Sequence, residues 1–309
     1  MLLASYEQIS PSTNNPMTPP QHDCIIIGAG LSGLLTAVRL QQAGIKSLIL
    51  EARERVGGRI LTIRTTEGDF DLGPAWWWAH HTNVQRLMRE LAVQGFEQFE
   101  QGIAVYDSAE NQPPQYFRPQ PMSPSYRFVG GVAVLIDKLV AQLPPQTIRL
   151  NTIVHKLVQD KAFIRVETND TPVFAQHVVC TLPPKLIADS LTFEPPLPTD
   201  VVNAMRETTT WMGQAMKVTL AYKSAFWRAR GLSGLTMSHV GPVAQFHDHG
   251  SADHKTAALF GWIGDQHECR GWHSAERRSA IIQQAVRLFG TKAAHPTHYA
   301  ECNWADQPF

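Results

Sequence analysis

The run "DCIIIGAGLSGLLTAVRLQQAGIKSLILE", beginning at Asp23, constrains the fold more than any other part of the chain. Residues 24–27 form a short apolar stretch rich in β-branched side chains, suited to a buried parallel strand. Gly28, Ala29, Gly30, Leu31, Ser32 and Gly33 then spell GxGxxG. Leu34, Ala37, Val38 and Leu40 recur at helical spacing, and Gly44 ends the helix. Residues 47–50 read as a second buried strand with Glu51 at its end. Gly28 makes the tight turn, Gly30 lets the backbone approach a pyrophosphate, and Gly33 lets the helix lie close on the strand. The helix N-terminus offers free N–H groups to phosphate. Glu51, about twenty residues after the glycines, is placed to accept from a ribose hydroxyl. The pattern predicts dinucleotide binding, and its physics alone does not separate FAD from NAD.

A chain of 309 residues can hold one large domain or two interleaved ones. The formal net charge of +0 supplies no basic excess to recruit nucleic acid. Cys24, Cys180, Cys269 and Cys302 are widely spaced, with no zinc-like pattern. They read as four reduced thiols of a cytoplasmic protein, and no metal site is expected. The opening "MLLASYEQISPSTNNPMTPPQ" lacks the features of a signal peptide and reads as a disordered leader. No apolar stretch reaches the roughly 18 residues of a transmembrane helix.

After Glu51 the chain continues as "EARERVGGR", and later as "GDFDLGPAWW". This sequence resembles the flavin-dependent amine oxidase superfamily. The resemblance implies a Rossmann-like FAD/NAD(P)-binding domain of the glutathione reductase type, interleaved with an α+β substrate domain, and FAD as cofactor. It places Gly28, Gly30, Leu31, Ser32, Gly33, Glu51, Ala52 and Arg53 at the cofactor, with Gly57, Gly58 and Arg59 beside its phosphates. Gly73, Pro74, Ala75 and Trp76 are implied close to the isoalloxazine, while Trp77 and Trp78 fit core or interdomain packing equally well. The same opening is shared by several flavoprotein oxidases and desaturases, so it speaks to cofactor and fold more than to substrate.

Residues 83–91 read as an amphipathic helix. The Pro-rich "NQPPQYFRPQPMSPSY" is a surface excursion that the resemblance assigns to a shortened substrate domain. Gly130 and Gly131 read as a turn into a helix carrying Leu135, Ile136 and Leu139. Residues 148–180 alternate apolar and polar side chains in short runs, a β-meander followed by the buried strand of "HVVCTLPP". Val154 alone is an ordinary strand residue. The resemblance puts its backbone at the adenine, and puts Thr181 and Leu182 near the flavin. Implied boundaries are residues 1–20 for the leader, 21–79 and 128–206 for the FAD domain, and 80–127 and 207–309 for the substrate domain.

In "WMGQAMKVTLAYKSAFWRARGLSG", Lys217, Thr219 and Ala221 alternate with Met216, Val218 and Leu220. Read alone, Lys217 is a solvated residue of an edge strand. The resemblance reverses this, because Lys217, Tyr222, Phe226 and Trp227 match in order a family context whose lysine holds a water near flavin N5. The implied reaction oxidises a small-molecule amine to an iminium ion that water hydrolyses, while O2 becomes hydrogen peroxide. His239, His247, His249 and His254 lie in a stretch rich in Gly, Ser and Asp, and read as a solvated loop rather than a metal site.

Near the end, "AERRSAIIQQAVRLFG" reads as an amphipathic helix, and "THYAECNWADQPF" resembles a family stretch in which the tryptophan, here Trp304, lies near flavin and substrate. Family members continue with a segment that closes the FAD domain and completes the amine cage. A fragment, a truncated inactive protein, and a site completed by another chain are therefore three open readings. Rival functions are a non-catalytic relative or partner-dependent subunit, and an FAD-dependent desaturase or protoporphyrinogen-type oxidase. The amine, the covalency of the flavin and the oligomeric state, a homodimer included, stay open.

Overall fold

The computed structural model describes residues 21–120, 123–210 and 213–308. The leader expected at residues 1–20 lies outside them. The opening run folds as its pattern predicts. Strand His22–Ile27 leads through Gly28 into helix Leu31–Gln42, and the chain returns as strand Ser47–Leu50. Leu34, Ala37 and Val38 face inward on that helix, against Leu135, Ile136 and Leu139 of helix Ala133–Val140. The helix ends before Gly44, whose φ of +77° favours glycine.

These strands belong to a seven-stranded sheet. Ile148–Arg149, Ser47–Leu50, His22–Ile27 and Val173–Cys180 run parallel side by side. Ile164–Thr168 and Val154–Gln159 continue the sheet antiparallel as the expected meander, and Thr192–Glu194 closes it. The two central runs 24–27 and 48–50 are apolar because both faces are covered: Ile26 and Ile49 pack under the helices, Ile25, Leu48 and Leu50 against Val154, Leu157 and Val166.

A four-stranded antiparallel sheet forms a second core, in the order Val243–Asp248, Ala257–Ile263, Met216–Tyr222, His298–Asn303. Helix Ser274–Phe289 covers one face, with Ile281, Ala285 and Leu288 against Val218 and Leu220. Phe70 covers part of the other, packed on Ala221 and Ala258. Both faces of Met216–Tyr222 are therefore buried along its whole length. All four cysteines are unpaired. No helix of the described residues is long and apolar enough to cross a membrane.

Candidate active site

At the glycine-rich turn, Gly28 N donates to Leu50 O at 2.8 Å and Gly57 N to Ala29 O at 2.8 Å, which draws the residues 57–58 turn against the first turn. The buried Glu51 carboxylate accepts from Ala29 N at 2.6 Å and from Arg53 N at 3.0 Å. One carboxylate thus ties the glycine turn to the start of the loop that follows Glu51. A Cβ on Gly33 would lie 2.0 Å from Gly28 O, so only glycine lets the helix pack this close. A Cβ on Gly30 would meet nothing within 4 Å, leaving open space in front of the helix N-terminus. Tight packing behind and open space before a ring of backbone N–H groups is the shape a pyrophosphate requires, so the residues present fit a dinucleotide. Thr181 Oγ1 donates to Ile27 O at 2.8 Å beside this turn, and Thr152 N donates to Glu51 O at 2.8 Å, bringing the start of the Val154–Gln159 strand alongside Glu51. Arg53 Nη1 donates to Gly58 O, while the Arg59 side chain is exposed.

The second group of residues converges on the chain after Asp71. Lys217 Nζ donates to Gly73 O at 2.5 Å, and Trp304 Nε1 donates to Leu72 O at 2.8 Å. Two neighbouring carbonyls are thus held by side chains 87 positions apart in sequence, Lys217 on its strand and Trp304 just past the end of the neighbouring strand His298–Asn303, where Trp304 N also donates to Ala215 O. Lys217 is only 5% exposed and its ammonium lies 4.9 Å from the Phe260 ring centroid. Burial pulls its pKa down to about 8, partly offset by the buried Asp71 and reinforced by Arg127. Asp71 accepts from Thr62 Oγ1 at 2.6 Å and Val132 N at 3.0 Å, and burial raises its pKa. A cleft of about 470 Å³ runs past Leu72, Met216, Cys302 and Asn303, bordering the same segment.

An aromatic wall lies over this sheet face. Trp76 packs at 4.9 Å from both Phe260 and His247, and His247 stacks on Phe260 and on Trp262 at 5.6 and 5.2 Å. Burial, aided by the Lys217 charge, holds the His247 pKa down at about 3, so its ring stays neutral. Asp71 N donates to His249 Nε2 at 3.0 Å, which puts the proton of that neutral ring on Nδ1. The wall is aromatic, with the Lys217 ammonium set on its Phe260 ring.

Two family models match the chain. A Rossmann-like NAD(P)-binding domain matches residues 26–91, and the flavin containing amine oxidoreductase model matches residues 112–309. The chain belongs to the flavin-containing amine oxidoreductase family. A probable flavin-containing monoamine oxidase A of Dictyostelium discoideum is 22% identical, the match covering 93% of this chain and 85% of that protein. The fold is that of a putrescine oxidase variant (TM-score 0.83, 20% identity, 94% of this chain and 86% of that one). It is also that of the cyclohexylamine oxidase of Brevibacterium oxydans (TM-score 0.80, 21% identity, 93% and 86%).

Within this amine oxidoreductase the residues singled out from sequence fall into two neighbourhoods. Gly28, Gly30, Leu31, Ser32, Gly33, Glu51, Ala52, Arg53, Gly57, Gly58, Thr181 and Leu182 surround the first turn, with Val154 reached through Thr152. Gly73, Ala75, Trp76, Lys217 and Trp304 gather at the second sheet. The edge-strand reading of Lys217 fails, because its strand lies between Ala257–Ile263 and His298–Asn303. The solvated-loop reading of the histidines holds for the exposed His239 and His254 only. His247 belongs to strand Val243–Asp248 and His249 follows it into the core. A sheet covered on both faces buries polar positions that alternation alone assigns to solvent. Gln98, Arg127, Phe260 and Trp262 also reach this region; the near-continuous apolar run "ALFGWIG" reads as a strand, but nothing in it singles out Phe260 or Trp262 as site residues.

Proposed function

We propose that the chain binds FAD along the Gly28–Glu51–Gly57 cradle and oxidises an amine at the Lys217 face. The overall reaction takes a primary amine, O2 and water to a carbonyl compound, ammonia and hydrogen peroxide. When bound, the flavin supplies the two-electron acceptor. The observation that carries this reading is the buried ammonium of Lys217 at the segment after Asp71. Charge is expensive to bury, and this one has a carbonyl and a ring face as partners rather than a carboxylate in contact. Such an ammonium is suited to hold a water and to favour negative charge arising nearby. Trp76, Phe260, Trp262 and Trp304 exclude water and orient an apolar amine body. His247 stays neutral and adds no charge that would repel the amine.

Residues 21–79 and 128–206 form the cofactor-binding part of this proposal, and residues 80–127 and 207–309 the substrate-binding part. Four unpaired thiols support a cytoplasmic setting. The test is to purify the chain, load it with FAD, and assay peroxide against a panel of amines that includes putrescine and cyclohexylamine, the amines in its relatives' names. Amine-dependent peroxide is expected. Bound flavin with no peroxide from any amine would sink the oxidase reading in favour of a desaturase-type or non-catalytic relative.

A further inference from the structure

Gln98 follows the short strand Gly95–Glu97 and lies in no motif, yet its side chain is 5% exposed and fully engaged. Its Nε2 donates to Phe99 O at 3.0 Å and to Asp248 O at 2.8 Å. Its Oε1 accepts from Trp76 Nε1 at 2.9 Å. These contacts agree on one orientation of the amide. A flipped amide would set its oxygen against two carbonyls and its NH2 against the indole N–H. The anchor is itself fixed, because the Asp248 carboxylate accepts from Trp227 Nε1 at 2.8 Å, from Arg228 Nε at 2.7 Å and from Gly250 N at 2.8 Å. Gln98 N donates to Ser125 O at 2.9 Å, tying down its own backbone.

We propose that Gln98 is the positioning residue of the amine site, acting through Trp76. The bond to Oε1 sets the indole's rotation, and that rotation sets its contacts with Phe260 and His247. Phe260 in turn carries Lys217 on its face. The wall is thereby preset before substrate arrives, instead of being ordered at the expense of binding. The role in amine binding rests on the function proposed above; the hold on Trp76 does not.

A double-mutant cycle tests this with Gln98→Met, which keeps length but removes every hydrogen bond, and Trp76→Phe, which keeps a ring but removes the indole N–H. Two readouts are needed. The first is the near-ultraviolet circular dichroism band of Trp76, defined as wild type minus Trp76→Phe. The second is steady-state kinetics of the FAD-loaded protein. Gln98→Met is expected to abolish the Trp76 band. It should raise KM about tenfold while kcat changes less than about threefold, since the wall touches ground and transition states alike. In the Trp76→Phe background the same substitution should have no further effect on KM. A retained Trp76 band, or an undiminished KM effect in the Trp76→Phe background, overturns the proposal and leaves Gln98 a structural residue. If wild type oxidises no amine, the proposed function falls while the dichroism comparison still decides the hold on Trp76. If Gln98→Met does not fold, the smaller Gln98→Ala, which also removes the indole's acceptor, is read by the same band, and a retained Trp76 band there overturns the proposal.

Discussion

The Lys217 ammonium and the Gly73 carbonyl lie 2.5 Å apart in the protein interior, and the proton they share is held loosely by the standards of a lysine. Lys217 is protonated below about pH 8 and neutral above it. A step that needs the ammonium therefore fails as pH rises through about 8, although the amine substrate becomes more available as its neutral form. The pH profile of kcat/KM should show an alkaline limb near 8 that disappears in Lys217→Met. An identical limb in both proteins would assign it to another group.

The same depressed pKa acts on stability. Between about pH 8 and the ordinary lysine value of about 10.4, the unfolded chain holds a proton that the folded chain has released, so stability rises with pH across that window. Below pH 8 the fold carries the full cost of the buried charge. Lys217→Met should raise stability at pH 7 by about 1–3 kcal/mol while impairing activity. Urea unfolding at pH 7 and pH 10 measures this, and the gain should shrink at the higher pH.

Asp71 raises the Lys217 pKa from inside the core. Asp71→Asn removes that support and should move the alkaline limb below 8. Because Asp71 Oδ1 also accepts from Thr62 and from Val132 N, and an amide oxygen can keep both bonds, the variant should fold. A limb that stays in place would show that the two charges do not communicate.

Two glycines in one motif should behave oppositely. Gly30→Ala adds a methyl to open space, so its melting temperature should match wild type within about 2 °C while FAD affinity falls about tenfold or more. Gly33→Ala sets a Cβ 2.0 Å from Gly28 O, so it should lose several kcal/mol of stability, of the order of overpacked core sites, before cofactor is considered. Flavin titration and thermal melting of the two variants separate the effects.

The first strand, turn and helix were legible because each glycine there answers a steric demand, and the strand end at Glu51 falls where its apolar run stops. Lys217 was legible only by resemblance. Alternation places it on a face of a strand but does not say that Phe70 and Trp76 cover that face. The burial of His247 is hidden for the same reason, since a run broken by Gly, Ser and Asp resembles a loop until its neighbours are known. Gln98 left no trace, because its hydrogen bonds to Trp76 and Asp248 join chain segments apart in sequence and follow no periodicity.

The central claim, that this site oxidises amines with the help of Lys217, is tested most directly by mixing the FAD-loaded protein with an amine without oxygen, then admitting oxygen, and following flavin colour. Wild type should bleach with amine and recover its colour with O2. Lys217→Met should slow at least one of the two phases by about a hundredfold. Colour unchanged by every amine, or Lys217→Met matching wild type in both phases, would contradict it.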